Sequence, residues 1–242
     1  MTNNNAFEQF KLPLPQTKKI GSFAKKSTEQ LSYSGNQHGD YTFTNAEVTI
    51  SFDQKSGWLK QFNINDSALI KAPLHANFWR APTDNDLGNN MQHWAAIWQQ
   101  VGEKLTLEKF SHKKVSSGYE VQSQYSSEFF NGNYKVNYLL NNNGEIKVTS
   151  ELNIDSNQQL ANIPRLGMQL TMPADFQRLS WFGRGPHESY ADRKTSARIA
   201  IYKRMVSEQI HHYSRPQENA NKTDVRWMAL KDGNDNGLLI VG

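Results

Sequence analysis

The sequence predicts an all-β fold, an antiparallel β-sandwich carrying one short helix. Two observations carry that expectation. Apolar residues recur at every second position in several stretches, as at Tyr134, Val136, Tyr138 and Leu140 and again at Leu166, Met168, Leu170 and Met172. Turns rich in Asn and Gly separate such stretches, as at Asn141-Asn142-Asn143-Gly144. A period of two leaves each strand with one apolar and one polar face, which suits antiparallel sheets packed on a single side. Asn and Gly supply the positive φ that tight hairpin turns require.

Taken in order, the first forty or so residues resemble a tail rather than a domain. Ala6 to Leu12 alternates like one strand, and Pro13 and Pro15 end it. Gln16 to Asp40 is polar and has no periodic apolar residues. One strand cannot bury its apolar face alone, so this one is expected to belong to a neighbouring domain. From Tyr41 the pattern becomes β. Val48, Ile50 and Phe52 alternate, Asp53 to Gly57 makes a turn, and Trp58 to Ile64 returns as the second arm of a hairpin.

Met91 to Gly102 breaks the period. Trp94, Ile97, Trp98 and Val101 fall at helical spacing, with Asn90 as the N-cap and Gly102 as the stop. The expected element is an amphipathic helix lying on a sheet. Ile146, Val148, Leu152 and Ile154 then complete a hairpin with residues 134–140, and Arg178 to Phe182 forms a strand running into Gly183, Gly185 and Pro186. Val225 to Leu230 and Leu238 to Val241 frame a turn at Asp232 to Gly237. The chain stops at Gly242 on an apolar strand, so further sheet is expected beyond it. No repeat or linker divides residues 41–242, which are taken as one domain.

Composition narrows the function classes. The 242 residues include 37% hydrophobic residues, six Trp and twelve Phe, enough for a substantial core. There is no cysteine, hence no disulfide, thiol nucleophile or thiolate metal site. The net charge of +4 is spread along the chain, and its densest basic run, Lys18-Lys19 to Lys25-Lys26, has no array of aromatics to stack bases. Nucleic acid is therefore not an expected partner. No basic n-region opens the chain and no apolar run approaches the roughly 18 residues of a membrane span, so no membrane partner and a cytoplasmic location are expected.

Three stretches concentrate polar chemistry. The first, Arg80-Ala81-Pro82-Thr83-Asp84-Asn85-Asp86-Leu87-Gly88, places two carboxylates around an amide in a loop constrained by Pro and Gly. Such a loop suits sugar hydroxyls, and equally suits helix capping and pairing with Arg80. The second, Gly185-Pro186-His187-Glu188-Ser189-Tyr190-Ala191-Asp192-Arg193, sets an imidazole, two carboxylates, a phenol and a guanidinium on one turn. An ion pair of Glu188 or Asp192 with Arg193 would pin it. The third, Tyr213-Ser214-Arg215-Pro216-Gln217-Glu218-Asn219, offers bidentate groups that fit either hydroxyl pairs or the backbone of a long loop.

Glycoside hydrolysis needs two facing carboxyl groups, about 5 Å apart for retention. The candidates are Asp84, Asp86, Glu188, Asp192, Glu218 and Asp224, and the sequence does not show which of them converge. Asp232, Asn234, Asn236 and Gly237 open a calcium-loop pattern, but the twelfth-position Glu falls beyond Gly242 and flanking helices are lacking, which favours a hairpin turn. The adjacent His211 and His212 lack a third ligand, so no metal site is expected.

Together, in this order and spacing, the three stretches resemble the C-terminal domain of large bacterial β-galactosidases of glycoside hydrolase family 2, which in some bacteria is a separate small subunit. The resemblance covers residues 37–242 and implies a galactose-mutarotase-like β-sandwich. Residues 1–36 would be the last strand of a preceding immunoglobulin-like domain plus a linker. It implies a retaining β-galactosidase that releases terminal non-reducing β-D-galactose, with no catalytic residue in this chain. The catalytic glutamates and the Mg2+ and Na+ ligands would lie in a TIM barrel and associated domains, or in a large subunit. This domain would shape the active-site mouth and support an oligomeric assembly, binding no cofactor itself.

Asp84, Asn85, Asp86 and Gly88 would lie nearest the galactoside, with Arg80, His187, Glu188, Glu218 and Asn219 behind them. The stretch from Gly88 resembles the family's mobile loop, although it is shorter than in the best-known member. A tryptophan that stacks on the aglycone sugar would fall past Gly242. Glu188, Tyr190, Asp192, Arg193 and Glu218 are expected mainly as internal scaffolding. Ala220 stands where the family often has glycine, and His187 where the best-known member has Gln. Two other functions stay open. One is an aldose 1-epimerase using His187 with Glu218 as acid and base. The other is a non-catalytic carbohydrate-binding module.

Overall fold

The structure, a computed structural model, describes residues 29–35, 39–65 and 67–242. The alternating stretches form antiparallel strands in three sheets. The first contains β1 (Ser32–Ser34), β2 (Tyr41–Thr44), β3 (Val48–Phe52), β4 (Leu59–Ile64), β5 (Ser67–Ala68), β6 (Ala72–Asn77) and β11 (Gly167–Thr171). Their spatial order is β1-β2-β3-β4-β6-β11, with β5 paired to β4. The second contains β7 (Thr106–Val115), β8 (Gly118–Ser126), β9 (Gly132–Asn141) and β10 (Ile146–Ile154), in the order β10-β9-β8-β7. The third contains β12 (Arg178–Gly185), β13 (Arg198–Met205), β14 (Trp227–Lys231) and β15 (Gly237–Val241), in the order β13-β12-β14-β15. The fold is an all-β sandwich.

The core fills the space between the first two sheets and is largely aromatic. Phe43, Ile50 and Phe52 come from one sheet, and Tyr125, Tyr134, Val136, Tyr138 and Leu140 from the other, all fully buried. Trp58 stacks on Tyr125 with ring centroids 4.3 Å apart and planes 13° from parallel. Phe52 meets Tyr138 edge-on at 4.9 Å. The hairpin joining β3 to β4 is an Asx turn: the Asp53 carboxylate accepts from the Lys55 and Ser56 amides, and Gly57 takes φ +69°.

Two expectations shift. The core and first sheet begin earlier than the expected boundary at residue 37, because Leu31 is 2% exposed and Ser32 to Ser34 pair with Thr44 to Thr42. The strand expected over Ala6 to Leu12 lies outside the described residues, as does most of the expected linker. The helix expected over Met91 to Gly102 is broken into α2 (Met91–Trp94) and α3 (Ile97–Val101), and a single turn, α1 (Asp84–Gly88), precedes them.

The break at Ala95 rotates Trp94 away from the core face. Met91, Ala95, Trp98 and Val101 are buried, whereas Trp94 is 41% exposed and donates its Nε1–H to the Asn89 carbonyl at 3.0 Å. Asn90 holds the N-cap position of α2 without a side-chain cap bond. Gly102 is not a left-handed stop. Its φ is −62°, and a Cβ there would lie 2.8 Å from the Ala76 carbonyl oxygen, so glycine lets α3 close onto β6.

The third sheet buries Trp181 and packs Leu230 and Leu238 towards the main core. Among the described residues its other face is uncovered and carries an apolar strip flanked by Arg178, Arg184, Lys203 and Lys231. The register sets Phe182 opposite both Ile201 and Trp227, and Trp227 opposite Val241. Ile201 is 61% exposed on this face. The turn between β14 and β15 is held by Asp232, which accepts from the Asn234 and Asn236 amides at 2.8 and 2.9 Å, as a hairpin rather than an ion loop.

Candidate functional site

The first stretch leaves β6 and is fixed by its own chemistry. Thr83 caps α1 in a capping box with Asp86, the side chain of each meeting the backbone N–H of the other. The Asp86 carboxylate accepts from the Thr83 amide at 2.8 Å, from the Thr83 hydroxyl at 2.7 Å and from both terminal nitrogens of Arg80. Burial alone would raise this carboxyl, but Arg80 and Thr83 outweigh it and hold it down at about 2.

Because that value lies below the ~3.9 of an unfolded aspartate, the pairing contributes its full stability above about pH 4 and loses it as the pH falls through about 2. Asp86→Asn is expected to cost about 2 kcal/mol at neutral pH. Urea unfolding should show the gap between the two proteins closing as the pH falls from about 4 to about 2; a constant gap would rule out this origin.

The third stretch grips the first. Glu218 donates its amide to the Pro82 carbonyl at 3.0 Å, and Gln217 brackets Asp84, accepting from its amide at 3.2 Å and donating to its carboxylate at 3.3 Å. The Glu218 carboxylate, 11% exposed, accepts from Arg165 Nη2 at 2.7 Å and faces Arg80 Nη1 at 3.5 Å. Burial raises its pKa, opposed by the two guanidinium groups. Asn219 is occupied elsewhere, its side chain bonded to both backbone groups of His211.

The second stretch is a knot. Ser189 is fully buried, and it exchanges backbone and side-chain bonds with Asn221 and Thr223. Glu188 accepts from the Tyr213 hydroxyl, from Arg193 at 3.1 Å and from the Ala220 amide at 3.0 Å. The Arg193 guanidinium lies 4.4 Å from the centre of the Tyr190 ring. Burial, reinforced by Glu188 and Glu218, pushes the Tyr190 phenol up to about 12. Asp192 receives the Asn85 side-chain amide at 3.4 Å, which ties this stretch to the first.

Ala220 has φ +67°, the left-handed region that disfavours a Cβ. Ala220→Gly is expected to stabilise by up to about 1 kcal/mol, a rise in Tm of roughly 2 °C for a chain of this size. A calorimetric Tm that falls would show that the loop has adapted to alanine.

Comparison with known proteins can now be set beside this geometry. Residues 44–240, which contain all three stretches, match the family model described as the beta galactosidase small chain. The chain belongs to that family. A beta-galactosidase of Priestia megaterium is 35% identical over 237 residues, covering 98% of this chain and 22% of that protein. One from Pseudoalteromonas haloplanktis is 30% identical over 250 residues, covering 97% and 23%. One from Halalkalibacterium halodurans is 28% identical over 212 residues, covering 83% and 20%. The chain thus spans about a fifth of the length of these relatives.

In this small-chain family member, the sequence candidates separate by exposure. Asp84, Asn85 and Gly88 lie exposed on α1, whereas Asp86, Glu188 and Glu218 face inward onto protein partners. His187 is exposed and contacts Ser196 at 3.1 Å, so it and Glu218 have separate partners. Arg165 was absent from the sequence candidates, since nothing in Ile163-Pro164-Arg165-Leu166 marks it. Thr83 could have been found, because Thr83-Asp84-Asn85-Asp86 is a capping-box pattern. Among the described residues, no group of three or more His, Asp or Glu is disposed to hold a metal ion. No helix among them is long and apolar enough to cross a membrane.

Proposed function

We propose that the chain is the small-chain part of a retaining β-galactosidase that releases terminal non-reducing β-D-galactose. Its sandwich, of the galactose-mutarotase-like kind, shapes the active-site mouth, while the acid, the nucleophile and the Mg2+ and Na+ ligands come from the remaining polypeptide. The observation that carries this reading is the state of the carboxylates. Retaining hydrolysis needs one protonated carboxyl group and a second, nucleophilic carboxylate about 5 Å away. Asp86, Glu188, Glu218 and Asp224 are instead held by Arg80, Arg193, Arg165 and Arg184. Their roles are to lock the loops. Asp84, Asn85 and Gly88, exposed on α1, are the groups offered to the galactoside, with Asp86 positioning them.

The apolar strip on the uncovered face of the third sheet supports assembly. An apolar patch of this kind costs free energy in water and is normally covered. We assign it to the other four-fifths of the β-galactosidase polypeptide, in a cytoplasmic oligomer. Purified chain alone is expected not to hydrolyse o-nitrophenyl β-D-galactoside, and the remaining polypeptide should need it for full turnover. Turnover by the chain alone, or full activity without it, would refute the reading.

A further inference from the structure

A cavity of about 470 Å3 opens where β6 and β11 meet the loops carrying Arg165 and Glu218. That volume lies within the ~300–1,000 Å3 typical of small-molecule sites. His75 pairs with Gln169 across β6 and β11, so the two side chains share a face. Asn77, two residues along the same face, donates to Gln169 Oε1 at 3.3 Å. That contact leaves the Gln169 NH2 group as a donor for a ligand.

His75 Nδ1 lies 2.9 Å from the Ala76 carbonyl oxygen, which can only accept. In the neutral ring Nδ1 therefore carries the proton and Nε2 presents a lone pair. Arg165 uses Nη2 on Glu218, and its other N–H groups have no partner among the described residues. Half-buried Trp79 lines the same cavity and offers apolar surface.

Both guanidinium groups at this space are already paired, Arg80 with Asp86 and Arg165 with Glu218. Glu103 at the wall adds a negative charge, which weighs against an anionic ligand. What remains is a donor amide, an acceptor imidazole, a guanidinium edge and an indole around a space of sugar size. Planar polar groups of this kind meet vicinal hydroxyls in pairs, and an aromatic side chain meets the C–H face of a pyranose. We propose that this cavity binds a neutral hexose unit, recognised by His75, Gln169 and Arg165 against Trp79. The inference stands on the cavity alone and does not depend on the β-galactosidase reading.

The isotope-labelled 242-residue chain would be titrated with D-galactose, D-glucose and inorganic phosphate, following amide and indole chemical shifts. A saturable hexose response with Kd on the order of 1 mM is expected, with shifts centred on His75, Trp79 and Gln169 and none caused by phosphate. His75→Ala and Gln169→Ala should each weaken binding by roughly 3- to 10-fold, the loss of one hydrogen bond. Thermal melts would check that both variants fold; if either does not, the wild-type shift map decides alone. The proposal is overturned by an absent or non-saturable hexose response, by shifts centred on Asp84 to Gly88, or by phosphate binding more tightly than either sugar.

Discussion

Glu218→Ala is expected to destabilise the chain by about 3 kcal/mol, the lower end of the range for breaking a buried ion pair. The carboxylate is 11% exposed and stands between Arg165 and Arg80, whose side chains are 36% and 22% exposed. Removing it relieves the cost of burying Glu218 itself, which its raised pKa registers. The larger consequence is two guanidinium groups left facing each other without the carboxylate between them. Arg80 retains Asp86, and Arg165 is exposed enough to swing into water, which keeps the loss below the ~5 kcal/mol extreme.

By contrast, the Lys60–Asp40 pair is 38% and 36% exposed, and breaking it is expected to cost less than ~1 kcal/mol. Urea unfolding reads both. The double variant Arg165→Ala/Glu218→Ala should be more stable than the sum of its parts, since it strands less charge. A Glu218→Ala loss below about 1 kcal/mol would mean that the network is effectively solvated.

The same network shows where sequence reading reached and where it stopped. The β9–β10 hairpin was legible because one face of β9 is wholly buried, which enforces strict alternation at Tyr134, Val136, Tyr138 and Leu140. Strand β7, at the far side of the same sheet, was not. It has no buried residue, a bulge between Leu107 and Lys109 breaks its period of two, and Thr106 to Val115 mixes Lys, Glu and His with its apolar positions. β13 hid for a related reason: it too has no buried residue, and Arg198, Lys203 and Arg204 flank its exposed Ile199 and Ile201 in sequence. Helical spacing marked residues 91–102 without revealing the bend, because two adjacent alanines are good helix formers and carry no stop signal.

For the site, composition marked the three polar stretches, and the geometry brings them together. The partners were not legible. Arg80 meets Glu218 across a sequence separation of 138 residues and Arg165 meets it across 53. Pairing at such distances is set by the packing of β6 beside β11, and no local pattern encodes it. The pairing with Arg80 was legible, but the expected cap of the following helix is not made; Asp86 completes instead the capping box of α1, the turn that the stretch itself forms. The balance between sugar binding and structure at Asp86 therefore tips towards structure, whereas for exposed Asp84 and Asn85 it stays even.

Trp58→Ala is expected to cost about 3–5 kcal/mol, the range for truncating a buried aromatic. Trp58 is 8% exposed, lies between the Gly57 turn and β4 and stacks face to face on Tyr125 of the second sheet. It also lies 6.3 Å from Tyr134, so one indole touches two strands of the opposing layer. Truncation would leave a void that the sheets cannot close, because Ser123 beside it holds the Gly57 carbonyl at 2.8 Å and fixes their spacing. At roughly 2–4 °C per kcal/mol for a chain of this size, Tm should fall by about 10 °C in calorimetry.

Trp58→Phe keeps part of the stack and should lose less than half as much. Equal losses for Ala and Phe would show that strain rather than a void is measured. A loss under about 1 kcal/mol for Trp58→Ala would mean that the first two sheets do not share this core. β6 is held in the first sheet beside β4, and Arg80 follows directly from it. A sandwich loosened at Trp58 would therefore also release the anchor from which the Asp84–Gly88 turn is presented, and the Arg80–Glu218 contact should weaken with it.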